Sequence, residues 1–204
     1  MGFWGSFVVH RGAAPLGDLL PEVAAVRDAE VLYDGVAGAW QITRMWASSG
    51  DLPETFLTQL RDATGAPVLA ADILDSDAAY VHALGARTPF WDTWLEIDGA
   101  IGHVLTPPAP FDEDDNYLGD DWVDPEYERE AAATKERMLA ETLTGAAAAS
   151  AAVAWAAEAG LMPATVAEVE AALGEEETFV EDQFFTLINR LGITTRDATA
   201  PPGE

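Results

Sequence analysis

Residues 111 to 130 read Phe-Asp-Glu-Asp-Asp-Asn-Tyr-Leu-Gly-Asp-Asp-Trp-Val-Asp-Pro-Glu-Tyr-Glu-Arg-Glu; ten of them are acidic and only Arg129 is basic. Carboxylates at this density suit two kinds of chemistry. They can surround a hard divalent cation with oxygen, or they can attract a basic surface and speed its encounter. Rings recur through the same stretch at Phe111, Tyr117, Trp122 and Tyr127. A purely solvating acidic segment has no use for them. Either the rings pin the strip to the protein's own body, the ordinary use of such side chains, or they anchor a partner, with Lys or Arg seated over a ring face. On the second reading the contact residues are Phe111, Asp112, Asp114, Asp115, Tyr117, Asp120, Asp121, Trp122 and Tyr127.

The cation reading has its own residues. Asp112, Asp114 and Asn116 have the alternate spacing that opens an EF-hand loop, but Tyr117 stands where that loop needs glycine and Val123 where it needs glutamate. What remains is a looser oxygen-rich site for Ca²⁺ or Mg²⁺. Asp75-Ser76-Asp77 is a second pair of carboxylates at metal-sharing distance, although Asp and Ser at a hairpin tip ordinarily bond to their own backbone. No other cofactor is expected.

Three histidines, His10, His82 and His103, all fall in the N-terminal half. None has the spacing of a zinc motif, and each alone is expected to be structural. A hydrolytic site built from His10, His82, Asp75 and Asp77 is the enzyme alternative, a divalent-metal-dependent hydrolase. Neither G-x-S-x-G, G-x-x-x-x-G-K-[ST] nor G-x-G-x-x-G occurs. The leading expectation is therefore a non-enzymatic interaction module, an inhibitor, immunity-type factor or adaptor. A scaffold without a small ligand is the third reading.

Composition narrows the partners. The chain has 204 residues, 36 acidic against 10 basic, and a formal net charge of -26. One lysine and nine scattered arginines cannot track a phosphate backbone, so nucleic acid is excluded as a partner. An anionic membrane surface is disfavoured on the same ground. Strong net charge also keeps a protein soluble, and that is its plainest consequence. Cysteine is absent, which removes disulfides and thiolate sites. The Ala-rich, Lys-poor composition resembles that of a GC-rich bacterial genome. Without a positive n-region or a long apolar span, a cytoplasmic location is expected. Homo-oligomerisation is open.

The elements that must position these groups follow from periodicity. Residues 3–10 read as a strand, 15–21 as a helical turn, and 30–34 and 39–47 as strands, with the Trp40, Ile42 and Trp46 face expected to be buried at its ends. Residues 51–64 read as a helix capped by Asp51 and stopped by Gly65. Residues 68–74 and 79–84 form a hairpin around Asp75-Ser76-Asp77, and 90–97 give a last strand. The order fits a β-α-β-β-α-β, ferredoxin-like core.

Thr-Pro-Pro-Ala-Pro at 106–110 breaks the pattern. It places a boundary between an α+β sheet domain (1–105), a Pro-rich then acidic loop (106–123), a helical subdomain of about four helices (124–192) and a frayed tail (193–204). The helices are read at 124–143, at 145–159 (buried on most sides), from 163 to Gly174 with a Thr165/Glu168 capping box, and at 176–191.

Overall fold

Every strand of the chain carries apolar residues on both faces, so the sheet they form has to be covered on both sides. In the computed structural model, which describes residues 2–37, 39–49, 52–111, 116–119, 122 and 124–195, it is. The strands are β1 (Gly5–Arg11), β2 (Glu30–Val36), β3 (Trp40–Trp46), β4 (Val68–Leu74), β5 (Ala78–Leu84) and β6 (Trp91–Leu95). They make one six-stranded sheet in the order β2-β3-β1-β4-β5-β6, antiparallel throughout. The helices are α1 (Leu16–Leu19), α2 (Phe56–Thr64), α3 (Ile97–Val104), α4 (Pro125–Glu141), α5 (Gly145–Glu158), α6 (Val166–Leu173) and α7 (Val180–Arg190). The protein is α+β, a sheet followed by a helical C-terminal part.

Strand order reveals how the first half is wound. β3 lies between β1 and β2 and is antiparallel to both, so β1 and β2 are parallel with a strand inserted between them. β1 stands in the same way between β3 and β4. Two interlocked split β-α-β units result, the β-α-β-β-α-β arrangement expected from the sequence. β5 and β6 extend it as a meander.

One face of the sheet packs Val8, Met45, Val68 and Ala70 against Leu16 and Leu20 of the α1 region and Phe56, Leu57 and Leu60 of α2. The other face packs Phe7, Val9, Ile42, Leu69, Val81 and Trp91 against α5, α6 and α7. Phe7 stacks on Phe184 at 5.6 Å, and the Trp155 indole N–H donates to the Val68 carbonyl at 3.1 Å, so the C-terminal helices and the sheet share one core.

Several sequence expectations are corrected. The 90–97 strand ends at Leu95; Glu96, at φ 51°, turns the chain into α3, which periodicity missed. Two glycines lower the helix propensity of that segment. Gly99 is needed there because a Cβ would fall 2.4 Å from the Asp77 carbonyl oxygen. The 51–64 helix begins only at Phe56, without a side-chain cap; Asp51 lies outside the described residues. The 176–191 helix starts at Val180. Helix α5 buries one face, Ala148, Ala149, Ala152, Trp155 and Ala156, while the alanines opposite face water. Its alanines signal close approach to the sheet, not burial all round. Trp40 is buried but Trp46 is 44 % exposed, so the β3 face is closed at one end only.

Of the tail read as frayed, 196–204 lie outside the described residues, while Ile193 is buried in the core. Asp124 accepts from the Glu126 and Tyr127 amides and caps α4, and Thr165 and Glu168 form the capping box of α6.

Candidate functional site

The acidic-aromatic strip begins where the prolines end. Phe111 forms an isolated antiparallel bridge with Tyr117, and Leu118 donates its amide to the Pro110 carbonyl. Asp112, Asp114, Asp115, Asp120 and Asp121 lie outside the described residues. The Phe111 and Tyr117 rings meet at 5.6 Å yet remain 51 % and 53 % exposed. Trp122 and Tyr127 are half-buried. With Pro107, Pro108 and Pro110, the rings of Tyr117, Trp122 and Tyr127 line a groove of about 300 Å³. The strip is thus pinned at Trp122 and Tyr127 and open at Phe111 and Tyr117. Asn116 is exposed.

Asp75 and Asp77 do not act as a pair. The Asp75 carboxylate accepts the Gly2 amide at 2.6 Å, and both Asp75 and Ser76 sit at positive φ in the hairpin turn. Ser76 holds three segments at once. Its amide donates to the Phe3 carbonyl, its hydroxyl accepts the Phe3 amide and donates to Glu181, and its carbonyl accepts the Val180 amide. Asp77 faces His103 at 3.4 Å. Among the described residues no group of three His, Asp or Glu gathers as a metal would require.

His10 and His82, the histidines of the hydrolytic reading, lie away from these aspartates. His10 lies five residues along β1 from Gly5, whose partner Ile73 precedes the hairpin, a separation of about 17 Å. His10 is fully buried opposite Gln41, and neither of its ring nitrogens has a hydrogen-bond partner among the described residues. Burial lowers its pKa, against smaller opposing effects of the Arg11 backbone and the Asp34 charge, which favours the neutral ring at pH 7.

What the sheet does bring together is a row that motif reading passed over. Asp72 pairs with Ser6 on one side and Tyr80 on the other, and Tyr80 pairs with Trp94. The Ser6 hydroxyl donates to Asp72 Oδ1 at 2.6 Å, and His82 Nε2 lies 3.3 Å from Asp72 Oδ2. Tyr80 stacks on His82 at 5.2 Å and donates its hydroxyl to Asp92. Burial and the Asp92 and Asp72 carboxylates push the Tyr80 phenol well above its ordinary range.

The row occupies the sheet face between two helices: α2 over the Val68 end, and α3 anchored at Asp77 through Gly99. Here the carboxylate sits between the hydroxyl and the imidazole. Ser6 is bonded to Asp72, not to a histidine, so the row does not hold a serine hydroxyl against an imidazole base. The signal was present in the sequence as polar residues at alternate positions of otherwise apolar strands: Ser6 in β1, Asp72 in β4, Tyr80 and His82 in β5.

Comparison with family models, with curated proteins and with solved structures finds no match.

Proposed function

We propose that this protein is a non-enzymatic interaction module that engages a basic protein segment through residues 111–130. The observation that supports the reading is the exposure of Phe111 and Tyr117. Two large rings are more than half open to water in mutual contact, beside a groove formed with prolines, in a stretch where carboxylates outnumber cations ten to one. Exposed rings in a charged surround serve a partner better than a solitary surface. A partner rich in Arg would meet ring faces for its guanidinium planes and carboxylates for its charge.

A labelled oligoarginine peptide, followed by fluorescence anisotropy, tests this. Binding is expected at about 20 mM salt and should weaken at least tenfold by about 300 mM. The double variant Phe111→Ala/Tyr117→Ala should lose at least tenfold in affinity with an unchanged melting temperature. Equal binding by that variant would mean that net charge alone holds the peptide, and the assignment to the strip would fall.

A further inference from the structure

A second groove, of about 370 Å³, opens where the start of β1 meets the ends of β3 and β4. It is lined by Trp4, Ser6, Met45, Leu52, Asp72 and Leu74, among others, and Asp72 carries the only formal charge among the described lining residues. We infer that this groove binds an organic ammonium ion with a short apolar stem, an alkylamine in its protonated form.

Three features of the lining carry the inference. Asp72 offers a carboxylate whose Oδ1 is held by the Ser6 hydroxyl at 2.6 Å, so the anion is oriented before any ligand arrives. Trp4, 41 % exposed, is steadied by edge contact with His103 at 5.0 Å and supplies an aromatic surface to a cation. Met45 and Leu74 offer an apolar bed for the stem. Beyond Asp72 the row continues with Tyr80 and Asp92; His82 Nε2 lies 3.3 Å from Asp72 Oδ2, and none of these residues is a Lys or Arg. An anionic ligand would meet repulsion from the Asp72 and Asp92 carboxylates, and a neutral apolar one would gain nothing from the half-exposed Asp72 carboxylate.

The site is separate from the described part of the strip at 111–130: none of its described lining residues belongs to that segment. Its failure and that of the strip are therefore separable.

Isothermal titration with n-butylammonium is the test, with n-butanol as the uncharged analogue. For so small a ligand a dissociation constant on the order of 1 mM is expected. Butanol should give no saturable heat. Asp72→Asn should weaken butylammonium at least tenfold, and Trp4→Ala about threefold or more. Ser6→Ala, a milder change, should weaken it severalfold and keeps the test decisive if either of the other variants is misfolded. The Phe111→Ala/Tyr117→Ala protein should bind the amine like wild type. No saturable heat with butylammonium, or equal affinity in the folded Asp72→Asn or Ser6→Ala protein, overturns the assignment. A trilysine peptide forms the last arm: a hundredfold preference for it over butylammonium would transfer the groove to a protein's lysine side chains and overturn the small-molecule assignment.

Discussion

Glu158 shows what one carboxylate does when its surroundings are arranged for it. It ends α5 and reaches into the loop after β5, where its oxygens accept the Arg87 amide at 2.7 Å and the Thr88 amide at 2.5 Å. Burial pushes the carboxyl up, but the hydrogen bonds from the Thr88 hydroxyl and from the Thr88, Arg87 and Ala86 amides outweigh it and hold the pKa at about 2. Gly85 is required beside it, since a Cβ there would fall 2.5 Å from Glu158 Oε2. A depressed folded-state pKa means that the unfolded chain takes up this proton first. The stabilisation is therefore complete above about pH 5 and is lost as the pH falls from there toward 2. Glu158→Gln should cost about 1–3 kcal/mol at pH 7. Denaturant titrations of wild type and variant should converge as the pH approaches 2. A difference that stays constant across that range would show that the carboxylate's charge contributes nothing.

At the scale of elements, α3 is the most informative piece, because its two glycines have opposite roles. Gly99 faces the Asp77 carbonyl at a distance no side chain tolerates, whereas a Cβ on Gly102 would meet nothing within 4 Å. Gly99→Ala should therefore destabilise by about 1–3 kcal/mol through forced displacement of the helix from the hairpin. Gly102→Ala should stabilise by about 0.5–1 kcal/mol through helix propensity and the entropy of the unfolded chain. Chemical denaturation of both variants decides the matter; equal signs would remove the close-packing account of α3. The same helix marks the limit of what periodicity reveals. Strands β1 to β5 were legible because β-branched and apolar residues alternate or run continuously between turn residues. Helices α4 and α6 were legible because Asp124 and Thr165 announce them. Helix α3 was not, since two glycines, one of them fixed by contact with Asp77, resemble a loop. The row Ser6–Asp72–Tyr80 was hidden for a related reason: each member is one polar residue in an apolar strand, and only strand order places them side by side. The strip at 111–130 was visible because charge and rings are a matter of composition. That Trp122 and Tyr127 are half-buried while Phe111 and Tyr117 are open depends on how the prolines fold back, which composition does not encode.

The whole molecule carries a net charge of -26, with a single lysine that pairs with Asp98 between α3 and α4 at 2.6 Å. Like charges on a compact body repel more than on an expanded chain, so the native state is the one that gains most from screening. Raising NaCl from about 10 mM to about 200 mM, where the Debye length falls from roughly 30 Å to less than 10 Å, should raise the melting temperature by several degrees. Most of the gain should come before about 100 mM, since screening saturates once the Debye length is short compared with the molecule. Melting curves in NaCl and in choline chloride should coincide, because the effect belongs to ionic strength and not to a specific cation. A larger rise with sodium, or a flat response to both salts, would contradict the repulsion account. The two salt effects then run in opposite directions. Ionic strength strengthens the fold by weakening the field that the strip would use to draw in a basic segment.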